Sequence, residues 1–197
     1  MRIAGVIVAG GRSSRMGQEK AFTVLDGMTL LQHVAGRLAA QVSQIAINAN
    51  GDVDRFSATG FMVIPDLSGD IATPLAGLRA ALRFARGNGF DGVLTVPSDV
   101  PFLPSDLAIR LSAANSQAAI ASSGGQVHFL TGLWSHLLLE RLDLLMDVKQ
   151  MVRVKDWATA CQAAIIEWPA KPYDPFFNIN TPEDLAEARR IAAEFKP

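Results

Sequence analysis

Short apolar runs rich in valine and isoleucine alternate with segments of helical period along almost the whole chain. Few architectures can absorb that order. The runs read 2–9 (RIAGVIVA), 44–50 (QIAINAN), 61–66 (FMVIPD), 91–99 (DGVLTVPSD), 117–122 (QAAIAS), 127–134 (VHFLTGLW) and 162–168 (QAAIIEW). Their β-branched, nearly continuous hydrophobicity is that of strands covered on both faces, as in a parallel sheet. Helical spacing occupies 29–41, the stretch opened by Thr73-Pro74, 103–114, 135–146, a weaker piece near 148–157, and 180–195. Thr29 with Gln32 three residues on is a capping-box start, and proline at the first helical position suits Pro74. We therefore expect a three-layer α/β fold with a mostly parallel central sheet. The later runs lack a full helix between each pair, so that side of the sheet should be mixed. Gly51-Asp52 and Gly124-Gly125 read as turns.

At 197 residues the chain fits one domain, without internal repeat or linker. Hydrophobic residues make up 49% and charged residues 19%, enough apolar material for a sizeable core. A formal net charge of −1 argues against nucleic acid or an anionic membrane as partner. Cys161 is the single cysteine, which excludes an internal disulfide and suits a reducing cytoplasmic setting. No apolar stretch approaches the ~20 residues of a membrane-spanning helix. The N-terminal run faintly imitates a signal peptide, but it is short and β-branched, and a buried first strand is the better expectation.

The stretch just after the first strand is unusual. Residues 8–20, VAGGRSSRMGQEK, hold Gly10, Gly11 and Gly17 among Arg12, Arg15 and Lys20, with Glu19 the only acid. In open α/β sheets, ligands bind beyond the carboxyl ends of strands, where this stretch lies. Glycines let backbone N–H groups approach and cradle an anion, and arginine and lysine add charge. A polyphosphate is the expected occupant. The spacing fits neither a P-loop, since Gln18 follows Gly17, nor the G-x-G-x-x-G dinucleotide fingerprint. Asp99, at the end of the fourth run between Pro97 and Pro101, is placed to carry Mg²⁺, which takes one or two carboxylates plus phosphates and water. The alternative for Asp99 is a turn or helix cap.

These residues resemble a family. G-G-x-S-x-R-M-G-x-[DE]-K after the first strand is similar to the loop of molybdenum cofactor guanylyltransferases, members of a nucleotidyltransferase group with a Rossmann-like α/β fold. NAN (48–50), VIPD (63–66), PLAGLRAAL (74–82), VPSDVPFLP (96–104) and NINTPEDL (178–185) follow in the family's order, so the resemblance covers nearly the whole chain. Val8 replaces the usual leucine, Glu19 the usual aspartate, and Phe129 a common proline.

The resemblance implies transfer of GMP from GTP to the terminal phosphate of molybdopterin. Nucleotide would be held by Val8, Ala9, Gly10, Gly11, Lys20, Asn48, Asp66 and Asp99. Arg15, Lys20 and Asp99 would do the catalytic work, with Mg²⁺ on Asp99 and Asn180 as a second metal contact. The pterin would meet Asn178, Asn180 and His128, with Lys171 a further candidate near its phosphate. His128 could equally be structural, and Thr181 could cap the last helix in place of Asn180. The part up to about residue 100 would bind nucleotide and the remainder the acceptor. Transient contact with a molybdopterin-delivering protein and an acceptor molybdoenzyme is implied as well.

Three other classes compete with this reading. Molybdopterin cytidylyltransferases typically carry alanine-alanine-glycine where this chain has Ala9-Gly10-Gly11. The missing methyl leaves room for a purine. Sugar-1-phosphate nucleotidyltransferases are usually longer. A non-catalytic nucleotide-binding adaptor would have no need of Arg15, Lys20 and Asp99 together.

Overall fold

The computed structural model describes residues 1–9 and 20–195. Seven strands form one sheet: β1 (Ile3–Val8), β4 (Gln44–Asn48), β5 (Met62–Ile64), β6 (Gly92–Pro97), β7 (Ala118–Ser123), β8 (Gln126–Ser135) and β9 (Ala164–Trp168). Their order is β5-β4-β1-β6-β8-β7-β9. Parallel pairing joins β5, β4, β1 and β6, and also β7 to β9. Only β8 runs against its neighbours. The expected mixed side is thus one reversed strand, delivered by the β7–β8 hairpin. Gly124 and Gly125, with φ of 54° and 82°, make its turn, a backbone that non-glycine residues rarely adopt.

Both faces of the sheet are covered, as the continuous hydrophobicity requires. Side chains of β1 alternate: Ile3 and Ile7 pack on one side, Ala4 and Val6 on the other. The first side is closed by α1 (Leu30–Ala39) and α3 (Leu107–Ser112), the second by α2 (Pro74–Gly87), α4 (Leu139–Lys149) and α5 (Val154–Ala160). The last helix, α6 (Pro182–Phe195), covers a third apolar cluster with Leu25, Leu30 and Phe102.

The helix signals hold at residue level. Thr29 and Gln32 form the reciprocal capping box, and Thr73 Oγ1 accepts from the Ala76 amide one residue before Pro74. Two boundaries differ from expectation. The helix expected over 103–114 begins only at Leu107, and Asp106 at its N-cap position gives its Oδ1 to the Trp168 indole (2.8 Å) rather than to a capping bond. The weaker helix near 148–157 is instead the end of α4 plus a separate α5. Gln150 takes a left-handed turn (φ 52°) that stops α4. A small hairpin, β2 (Val24–Leu25) with β3 (Met28–Thr29), was not expected from the sequence. Its two-residue strands are too short to show a period, although Asp26-Gly27 is a hairpin turn pair.

Register aligns the strand ends. Val8 lies opposite Asn48 and Pro97, and Asn48 opposite Ile64. Val8, Asn48, Asp66 and Asp99 therefore share one sheet edge. Ser123 and Trp168 end β7 and β9 on the same edge.

Candidate functional site

Lys20 opens a short 3₁₀ turn, Lys20–Phe22, anchored by buried Ala21. Its Nζ reaches Asp99 Oδ2 at 3.2 Å and also donates to Asn180 Oδ1. Asn180 Nδ2 in turn donates to Asn178 Oδ1 at 2.8 Å. The Asn178–Asn180 segment is drawn in by the Ile179 amide, which bonds the Asp99 carbonyl at 3.0 Å. Side chains from three distant parts of the sequence thus meet at the carboxyl end of β6. The capping alternative for Asn180 is answered here. Thr181 Oγ1 accepts from the Asp184 amide (3.1 Å), which leaves the Asn180 side chain for Lys20.

Asp99 is mostly buried, its side chain 13% exposed. Burial pushes its carboxyl above the ordinary aspartate value, and the Lys20 ammonium offsets that only in part. Its Oδ1 is buried and has no hydrogen-bond partner among the described residues. A buried carboxylate oxygen without a partner is costly unless a cation or donor completes it. No group of three or more metal-ligating side chains occurs among the described residues.

A second cluster sits where β4 and β5 end. Asn48 is 2% exposed, and its Nδ2 donates to the Ile64 carbonyl (3.1 Å) and to Asp66 Oδ1 (2.9 Å). Asn50 Nδ2 donates to Asp66 Oδ2 (2.7 Å), and Asn50 Oδ1 accepts from the Asp66 amide (2.8 Å). Both carboxylate oxygens of Asp66 are thereby oriented. Helix α2 closes against this shelf at Gly77, where an added Cβ would lie 2.3 Å from Asn48 Oδ1. The Ala9 amide bonds the Asn48 carbonyl at 2.9 Å, tying the start of the glycine-rich stretch to the same shelf.

A third cluster lies beyond β7. His128 Nε2 and Ser123 Oγ are 2.7 Å apart, and Ser123 Oγ donates to Asp174 Oδ1 at 2.7 Å. The His128 ring packs on Phe176, centroids 4.8 Å apart. Burial holds the imidazole below its ordinary value, with Asp174 and Glu167 pulling the other way. His128 is neither a bare core residue nor a free surface one. A bulge places it there: Ile120 pairs with Gly132 but Ala121 with His128, so Phe129, Leu130 and Thr131 have no partner on β7.

The structure therefore brings Lys20, Asp99, Asn178 and Asn180 together, and Asn48 with Asp66. His128 stands apart from both, with Ser123 and Asp174. Lys171 is exposed, and no hydrogen bond or ion pair among the described residues draws it into a cluster. Gly10, Gly11 and Arg15 lie outside the described residues. Sequence alone gives no role to Asn50, Gly77, Ser123 or Asp174. Asn50 and Gly77 stand in blocks shared with the family, but nothing in their spacing reveals their contacts.

No helix among the described residues is long and apolar enough to cross a membrane. The model of the MobA-like NTP transferase domain matches residues 5–163. A molybdenum cofactor guanylyltransferase of Rhizobium leguminosarum bv. trifolii is 45% identical over 95% of this chain and 92% of its own. The structure of molybdopterin-guanine dinucleotide biosynthesis protein A from Archaeoglobus fulgidus superposes with a TM-score of 0.75, covering 99% of this chain and all of that one at 22% identity. A Mycobacterium tuberculosis protein, Rv0371c, solved in complex with manganese, gives 0.67 over 96% of this chain and 99% of its own at 16% identity. The last two speak for the fold. On the family match and the sequence identity, the chain belongs to the MobA-like NTP transferase family, among the molybdenum cofactor guanylyltransferases.

Proposed function

We propose that the chain transfers GMP from GTP to the terminal phosphate of molybdopterin, with or without bound molybdenum, and releases pyrophosphate. The observation that carries this reading is the Lys20–Asp99–Asn180 constellation at the carboxyl end of β6, with one Asp99 oxygen left without a partner among the described residues. The acceptor phosphate attacks the α-phosphorus in line. A phosphate monoester has a second pKa of about 6 and is largely dianionic at neutral pH, so no general base is needed. What remains is to position two anions and neutralise them.

Lys20 holds the β and γ phosphates and stabilises the leaving pyrophosphate, a task that Arg15 shares. Asp99, through its Oδ1, would hold a divalent ion, Mg²⁺, which would supply positive charge against the phosphates. Asp66, oriented by Asn48 and Asn50, accepts the N–H groups of the guanine edge. Asn48, with its own amide already committed, acts through Asp66. Asn178, Asn180 and the His128–Ser123–Asp174 group face the pterin. Nucleotide thus belongs to roughly the first hundred residues and acceptor to the rest. The single cysteine fits a cytoplasmic setting. A molybdopterin-delivering protein and an acceptor molybdoenzyme would dock transiently.

Thermal shift with GTP, CTP, ATP and UTP, each with and without Mg²⁺, tests the reading. A ligand at ~100 times its dissociation constant adds about 2.7 kcal/mol. Stabilisation by GTP with Mg²⁺, followed by guanylyl transfer to molybdopterin, supports it. Stabilisation by CTP alone would sink it.

A further inference from the structure

Residues 65–73 link β5 to α2 and carry Asp66. Asn48 and Asn50 fix the start of this segment from the sheet side. Its middle is fixed from another direction. Arg79, in the second turn of α2, is 5% exposed. Its Nε donates to Asp143 Oδ1 (2.7 Å), its Nη1 to Asp70 Oδ1 and Asp147 Oδ1 (both 2.8 Å), and its Nη2 to Asp147 Oδ2 (2.8 Å). One guanidinium therefore joins the segment to α4.

The three carboxylates do not depend on it equally. Asp143 also accepts from Arg83 at 2.8 Å, and the Asp147 side chain is 57% exposed to water. Asp70 has neither relief. Its side chain is 9% exposed, and Arg79 is its ion-pair partner. Its Oδ2 is buried without a hydrogen-bond partner among the described residues. A buried carboxylate that loses its cation must move towards water. The segment also rests on little packing. A cavity of about 190 Å³, lined by Gly69, Asp70, Thr73, Met146 and Met151 among others, lies between it and the end of α4. With space beside it, the segment owes its place to polar tethers.

We infer that Arg79, acting through Asp70, is a positioning residue of the nucleotide site: it pins the segment bearing Asp66 to α4, so that this carboxylate stands preset for the base. The inference rests on the nucleotide reading of Asp66. The tether sets nucleotide affinity and leaves the phosphoryl-transfer groups, Lys20 and Asp99, untouched.

Asp70→Ala and Asp70→Asn test this better than an Arg79 variant, which would strand three carboxylates and risk the fold. The asparagine substitution keeps a carbonyl oxygen for Arg79 Nη1, whereas the alanine substitution removes it. Wild type is titrated first with GTP, CTP, ATP and UTP in Mg²⁺, and the variants then with whichever nucleotide binds tightest. The guanine reading stands or falls on the wild-type titration alone. Asp70→Ala should weaken binding, and raise the KM for that nucleotide, about tenfold, the scale of one charge-assisted hydrogen bond. Saturated kcat should stay within about twofold, and Asp70→Asn should recover most of the affinity. Unchanged affinity in Asp70→Ala overturns the inference. So does a fall in kcat matching the rise in KM, or failure of Asp70→Asn to rescue. Wild type that binds none of the four overturns both this inference and the function on which it rests.

Discussion

Gly77 and Asp99 show how single atoms set this site. By helix propensity alone, Gly77→Ala should stabilise α2 by about 1 kcal/mol. The new methyl would fall 2.3 Å from Asn48 Oδ1, which belongs to a buried and bonded side chain. The clash wins, because over-packing a tight site costs about 1–3 kcal/mol. Gly77→Ala should therefore lower the denaturation midpoint and weaken GTP binding together, by moving Asn48 off Asp66. Asp99 works in the opposite sense. Its folded-state carboxyl sits above the ordinary value, so its contribution favours folding in acid and is lost as pH rises through the folded pKa. At neutral pH, Asp99→Asn without nucleotide or metal should melt no lower than wild type, and the difference should shrink as pH falls towards about 4. Turnover should drop by at least about a hundredfold, the scale of removing one charge-stabilising group from a transition state. An active Asp99→Asn enzyme would overturn the proposed role of Asp99 as metal ligand. Lys20 and Asp99 were legible in the sequence as residue types at strand and loop ends. Their ion pair was not, since 79 positions separate them.

At the scale of elements, local chemistry decides most boundaries. The Thr29–Gln32 box starts α1, and Thr29→Ala should cost about 1 kcal/mol in chemical denaturation with GTP affinity unchanged. Where a local signal failed, a distant partner had claimed the residue, as the Trp168 indole claims Asp106. The bulge in β8 is of the same kind. It is braced by buried Thr95, which donates to the Leu130 carbonyl (2.8 Å) and accepts from the Trp134 indole (2.9 Å). Pairing of β6 with β8 stops at Thr95 and Gly132, although β6 runs on to Pro97. The two strands thus part company as they approach the edge that bears Asp99. A period-two reading of 127–134 cannot see this, because the bulge depends on residues of another strand.

The whole molecule adds the union of two halves on one edge. The groups proposed for the nucleotide hang from β1, β4, β5 and β6, and the His128–Ser123–Asp174 group from β7, β8 and the segment before α6. If the halves divide as proposed, Ser123→Ala should raise the KM for molybdopterin by about tenfold, the scale of losing a buried hydrogen bond, and leave GTP affinity within error. An equal loss of both affinities would mean that the group supports the nucleotide site instead.

The sequence by itself determined the three-layer α/β class, the mostly parallel sheet, most helix starts, and the choice of Lys20, Asp99, Asn48 and Asp66 as candidate site residues. These follow from periodicity, caps and residue chemistry, all carried by neighbours a few positions apart, and from the family resemblance. Only the tertiary structure decided that Lys20 spans Asp99 and Asn180, that Gly77 makes room for Asn48, and that Arg79 ties Asp70 to α4. Such contacts depend on strand order, register and the depth of burial. No local pattern encodes them, because their energy appears only when distant segments leave water together.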